Sequence, residues 1–124
     1  MALGAFSMSL NVKDLAASIA FYETLGFEVA GDYSDQGWAI LRDGSTTLGL
    51  FGGHIQTNCL TFNPGWTQDA QPVEGAWEDV RAIQARLKAA GIELTSECDP
   101  EREGPAHIAL TDPDGNAILI DQHR

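Results

Sequence analysis

Two sixteen-residue segments, DLAASIAFYETLGFEV from Asp14 and DVRAIQARLKAAGIEL from Asp79, align without a gap. Asp14 matches Asp79, Leu15 matches Val80, and Tyr22 matches Leu87; Gly26-Phe27-Glu28-Val29 then matches Gly91-Ile92-Glu93-Leu94. Each match has a physical task. An aspartate accepts from the free N–H groups of a first helical turn. Leu15, Ile19, Tyr22 and Leu25 fall on one helical face, as do Val80, Ile83, Leu87 and Ala90. Glycine takes the left-handed position that ends a helix, and a strand follows at once, FEVAGDY in the first half and IELTSE in the second.

The flanks repeat as well. SMSLNV precedes the first helix and TNCLTFN the second, both strand-like. GWAILRDGSTTLGLF and AHIALTDPDGNAILID follow, read as hairpins turning at Asp43-Gly44 and Asp114-Gly115. Each half therefore reads strand, helix, three strands. The expected fold is α+β, a single domain over residues 1–124 built from two βαβββ modules, about 6–53 and about 55–123. The halves differ at NPGWTQDAQPVEGAW, residues 63–77, a long Pro- and Gly-rich loop of the kind that serves as a lid or binding segment. Trp66 and Trp77 either pin it to the core or, for Trp66, cover a ligand.

Composition narrows the function. Eighteen acids against seven lysines and arginines give a net charge of −11, which argues against nucleic acid, since no basic stripe neutralises phosphates. The charge serves solubility or draws cationic ligands. MALGAFSMSLNV lacks a basic n-region and a long apolar run, and no stretch approaches the roughly 20 apolar residues of a membrane span. Cys59 and Cys98 are too few and too distant for a disulfide framework or zinc knuckle, and fit reduced thiols in a cytoplasmic protein.

The paired βαβββ modules, the opening LNVKDLAASIAFYETLGFEV and the closing DPDGNAILID resemble the vicinal oxygen chelate superfamily, which includes glyoxalase I, extradiol dioxygenases, and fosfomycin- and bleomycin-resistance proteins. The resemblance covers nearly the whole chain. It implies strands curved into a cup-shaped mixed sheet with helices outside, and a homodimer in which the partner can complete the cup. It also implies a divalent metal held by His, Glu or Gln at four strand positions. Those positions fall here at Ser7, Gly49, Thr57 (Asn58 with a one-residue slip) and Leu119, which cannot build such a site. No metal and no other cofactor is expected.

Strand alternation sends Met8, Leu10, Val12, Leu48, Leu50, Leu60, Phe62, Ile108, Leu110, Ile118 and Ile120 toward the helices. The other face would carry the ligand-binding candidates Ser7, Ser9, Asn11, Thr47, Phe51, Thr57, Cys59, His107 and Leu119, with Trp66 from the loop. Trp38 is a further candidate, since the register of its strand is ambiguous. A narrower cavity filled by water or by the partner chain is the alternative. His107 and Asp121 could form a catalytic acid–base pair, or Asp121 and the histidines a surface pair at the rim. With Cys59 they could also hold an ion at a shifted position. His54, in a turn, reads as solvated. Three functions remain open: a metal-free small-molecule-binding protein of the bleomycin-resistance type, with a cationic ligand favoured; a glyoxalase-like lyase or isomerase using His107 or a non-standard metal; and a dimer module with no ligand of its own.

Overall fold

The computed structural model describes residues 3–124. Seven strands and two α-helices of an α+β protein are assigned among them, in the order β1 (Ala5–Asn11), α1 (Leu15–Leu25), β2 (Glu28–Tyr33), β3 (Trp38–Asp43), β4 (Thr46–Phe51), β5 (Cys59–Asn63), α2 (Val80–Ala89), β6 (Ala106–Thr111) and β7 (Ala117–Gln122). Two compact units result: Ser7–Cys59, and Leu60–Arg124 together with residues 3–6. Among the described residues no helix is long and apolar enough to cross a membrane.

In the Ser7–Cys59 unit the strand order is β2-β3-β4-β1. β1 lies parallel to β4, and β3 runs antiparallel to both β2 and β4. Asp14 caps α1, its carboxylate accepting from the Ala17 N–H at 3.1 Å. Gly26 ends the helix at φ 113°, its N–H donating to the Glu23 carbonyl while the Phe27 N–H reaches back to Tyr22. That is the two-bond motif that a left-handed glycine permits. Ala39, Leu41 and Leu50 are fully buried, and Leu10, Val12, Leu15, Ile19, Tyr22 and Phe27 pack on them. Leu25 departs from the expected helical face: it is 60% exposed, because the packed stripe passes through Leu15, Ile19 and Tyr22 and leaves the end of the helix turned outward.

The second unit repeats this chemistry. Asp79 caps α2 by accepting from the Arg81 N–H at 2.8 Å. Gly91 (φ 80°) closes it with Gly91 N–H to Lys88 and Ile92 N–H to Leu87, the same two bonds shifted by one module. Its strands are ordered β5-β7-β6, and Val80, Ile83, Ile108, Leu110 and Ile120 form its core. Ala90, like Leu25, is exposed rather than packed. Two expectations fail here. IELTSE forms no strand: its bonds converge on Ala109, with one bridge at Ser96. The chain that follows is taken up by a helix side chain, Gln84, which donates to the Cys98 carbonyl at 3.0 Å and accepts from its N–H at 2.8 Å. TNCLTFN becomes strand only at Cys59; Thr57 and Asn58 precede it, and the Asn58 side chain accepts instead from the Asn11 N–H.

The turns also differ in detail. Asp43 pairs with Thr46, so Gly44 and Ser45 make the first hairpin turn, one residue later than expected. In the second, Asp112 organises the loop: its carboxylate accepts from the Asp114 and Asn116 backbones and from the Asn116 side chain. Those bonds hold its carboxyl below the ordinary aspartate range, the Asn116 side chain contributing most. DPDGN is thus a self-bonded turn with Gly115 at φ 86°.

Candidate functional site

The face of the Ser7–Cys59 sheet turned away from α1 carries most of the expected ligand-binding residues. Register places Trp38 opposite Phe51, Ile40 opposite Gly49 and Arg42 opposite Thr47. It also places Ser9 opposite Gly49 and Asn11 opposite Phe51. The ambiguity over Trp38 is thereby resolved, since Ala39 and Leu41 point into the core on the other face. β2 contributes Tyr33 opposite Trp38, after a bulge between Val29 and Gly31 that re-aims the strand.

One row across four strands therefore reads Tyr33, Trp38, Phe51, Asn11. The first three rings stack nearly parallel: Tyr33 and Trp38 have centroids 4.1 Å apart at 13°, and Trp38 and Phe51 5.7 Å apart at 12°. Tyr33 is 42% exposed and Asn11 is exposed, so both ends of the row are accessible. Ser9 is buried. Arg42 lies four residues along β3 from Trp38, about 13 Å away at the rise of a strand.

Gly49 is held under this row. A Cβ there would lie 2.7 Å from Phe51 Cε2, so the Phe51 ring occupies the space a side chain at position 49 would need. Of the four metal positions implied by the resemblance, Gly49 therefore offers a ring instead of a donor. Leu119 on β7, opposite Ala109 on β6, has no lone pair, and Ser7 and Thr57 offer only neutral hydroxyls. The amide oxygen of Asn58 already accepts from Asn11. These residues do not fit a divalent ion. Among the described residues no three His, Cys, Asp or Glu side chains are gathered closely enough to hold one, at a shifted position or elsewhere.

In the other unit His107 and Asp121 face each other in register on β6 and β7. The Asp121 carboxylate, however, meets His123, 3.4 Å from its Nε2, and Trp66 stacks on the His123 ring at 4.7 Å. His107 is exposed. The 63–77 loop is fixed at its other end by Arg124, which donates to the Gly65 and Val73 carbonyls and lies 4.7 Å over the Trp77 ring. His54 is exposed, but its Nε2 also bonds the Gln36 carbonyl. Burial pushes the Cys98 thiol up, away from thiolate chemistry.

Beside α2 lies a groove of about 520 Å³ lined by Trp77, Asp79, Arg81, Arg124 and residues 100–104. Its cations are committed: Arg81 to Asp79 at 3.1 Å, Arg102 to Asp99 at 3.6 Å, and Arg124 to Trp77. Reading the residues alone missed Gln122, which bonds three of the lining residues. It is 1% exposed, accepts from the Val80 N–H at 2.7 Å and donates to Asp79, Gly104 and Arg124. A signal for it existed, because strand alternation places position 122 on the same side as Ile118 and Ile120. Tyr33 was missed because the bulge in β2 breaks simple alternation.

Residues 4–120 match the family model of the Glyoxalase/Bleomycin resistance protein/Dioxygenase superfamily. The chain belongs to this superfamily. No curated protein matches it in sequence. Among solved structures, a superfamily member from Vibrio splendidus 12B01 is 19% identical with a TM-score of 0.64, over 94% of this chain and 97% of that one. A protein described as NAD-dependent benzaldehyde dehydrogenase from Legionella pneumophila is 16% identical with a TM-score of 0.68, over 96% and 99%. A hypothetical protein from Bacillus halodurans C-125 is 14% identical with a TM-score of 0.61, over 98% and 94%. At these identities the likeness is one of fold, and a superfamily fold hosts many activities.

Proposed function

We propose that this superfamily member is a metal-free small-molecule-binding protein that holds its ligand against the aromatic end of the Ser7–Cys59 sheet. The observation that carries the reading is the stacked row Tyr33–Trp38–Phe51 ending at exposed Asn11. Such a row offers flat π surface with an amide beside it, which suits an aromatic or cationic group. The net charge of −11 favours a cation. The residues at the usual metal positions support the metal-free part. The lyase or isomerase alternative gains nothing from His107, since the carboxylate opposite it is engaged by His123.

Calorimetry with a panel of basic aromatic compounds, including bleomycin-like glycopeptides, tests the proposal. Binding heat is expected from at least one compound, weakened about 10-fold by Trp38→Ala, in line with the ~1–2 kcal/mol of an aromatic or cation–π contact. No heat across the panel overturns it. Metal analysis of untagged protein is expected to find less than stoichiometric divalent ion, and a stoichiometric ion overturns the metal-free part.

A further inference from the structure

The groove beside α2 keeps donors in reserve, although each of its arginines has a partner. Three of the chain's seven cations line it, Arg81, Arg102 and Arg124. The Arg81 side chain is 12% exposed and spends only Nη1, on the Asp79 carboxylate at 3.1 Å and on the Gly104 carbonyl at 2.9 Å. Its Nε is buried with no acceptor, a rare condition for a donor in a folded protein. Nη2, on the same edge of the guanidinium, bonds no described residue and is not sealed off. Arg124 likewise holds Gly65 and Val73 through Nη1 alone. Arg102 stands 3.6 Å from Asp99 with both side chains more than half exposed, and water weakens such a pair. The acids divide in the same way. Asp79 is taken up by Arg81 and Gln122. Glu101 and Glu103 are exposed and have no ion-pair partner among the described residues. A turn built on Asp99 holds this segment: its carboxylate accepts from the Glu101 N–H at 2.9 Å, its carbonyl accepts from the Arg102 N–H at 3.4 Å, and Gly104 leaves the turn at φ 89°.

We propose that this groove binds a small zwitterion, an ω-amino acid or short peptide whose carboxylate meets the open edge of Arg81 and whose ammonium meets Glu101 and Glu103. A carboxylate accepts two parallel bonds from the Nε–Nη2 edge of a guanidinium, so one group satisfies the orphaned Nε and its neighbour together. Charge selects against simpler ligands. Three arginines and three acids share the lining, so the groove is neutral in a chain of net charge −11. A lone anion meets Glu101, Glu103 and the field of the whole chain, and a lone cation meets the arginines. A zwitterion has no net charge to be repelled and places each end against its opposite. The volume of about 520 Å³ lies within the range of small-molecule sites. Trp77 lines the same groove and reports on its occupancy. None of these residues belongs to the Tyr33–Trp38–Phe51 row, so the two sites stand or fall separately.

Titration of the full chain with γ-aminobutyrate, glycylglycine and triglycine, followed through the Trp77 indole N–H resonance, tests the site. Acetate and butylamine serve as single-charge controls. At least one zwitterion is expected to move Trp77 saturably with Trp38 unmoved, and each control to bind at least about 10-fold more weakly, as loss of a charge-assisted contact does. Arg81→Lys keeps the charge but removes the two-bond edge, and should weaken the zwitterion about 10-fold. Because Arg81 also supports Asp79 and Gly104, a second variant avoids the buried groups. Glu101→Gln combined with Glu103→Gln changes exposed side chains only, so its circular dichroism should match the parent. It should weaken the zwitterion about 3-fold and leave acetate no weaker. No zwitterion moving Trp77, acetate or butylamine binding as tightly as the zwitterions, or a double variant that binds them as the parent does would each overturn the proposal.

Discussion

Replacing Gln122 with leucine isolates what one buried amide does. Leucine fills nearly the same volume, so little cavity is created, and the loss falls on hydrogen bonds. Gln122 is 1% exposed and Val80, whose N–H it accepts at 2.7 Å, is 0% exposed, so water cannot replace that acceptor. A stranded buried donor costs about 1–3 kcal/mol. The bond to the Asp79 carboxylate at 2.9 Å is charge-assisted, but Asp79 is 40% exposed, so water recovers much of it. The remaining bonds, to the Gly104 and Arg124 carbonyls at 3.1 and 2.9 Å, are lost as well. The sum is about 2–4 kcal/mol. Urea unfolding followed by far-ultraviolet circular dichroism would read it, and Gln122→Ala should cost more by adding a cavity. A Gln122→Leu variant within about 0.5 kcal/mol of the parent would refute the reasoning, since that is the range of inconsequential surface changes.

Three further outcomes follow from the same geometry. Gly49→Ala places a Cβ 2.7 Å from Phe51 Cε2, so the ring must swing aside; a cost of about 1 kcal/mol and a changed near-ultraviolet dichroism spectrum are expected. Burial raises the Asp79 carboxyl, but bonds from the Arg81 N–H, Gln122 and the Arg81 guanidinium outweigh it, leaving the group below its ordinary range. Its ionised form therefore stabilises the fold above about pH 4 and the contribution fades as pH falls through the lowered value, so Asp79→Asn should flatten the acid limb of a stability–pH curve. Gly65→Ala forces a side chain onto φ 81° and within 2.9 Å of Trp77 and Arg124, and should speed proteolysis within residues 66–77.

The repeat was legible because its signals are local. Asp14 and Asp79 cap, Gly26 and Gly91 stop, and the apolar stripes between them follow helical spacing. The alternation of β6 and β7 likewise placed Ile108, Leu110, Ile118 and Ile120 in the core. What escaped were bonds between side chains and distant backbone. Three glutamines behave as substitute peptide groups: Gln68 bonds both the N–H and the carbonyl of Phe6, Gln84 does the same at Cys98, and Gln122 takes the Val80 N–H. Their partners lie 62, 14 and 42 residues away, and no local pattern encodes such pairs. After Gly91 the expected strand keeps only its bonds to Ala109, and Gln84 takes up the Cys98 backbone just beyond it. At the candidate site, the strand positions of Asn11 and Phe51 were readable from alternation, whereas the row they form depends on register and on the β2 bulge.

The three tryptophans report on three separate places: Trp38 on the stacked row, Trp66 on the His123 ring and Trp77 beneath Arg124. Their indole N–H resonances, followed by NMR while basic aromatic compounds are titrated in, test the binding face most directly. Saturable movement of the Trp38 signal, with Trp66 and Trp77 left in place, is the expected result. Movement of Trp66 or Trp77 with Trp38 unmoved, or no movement of any of the three, would contradict it.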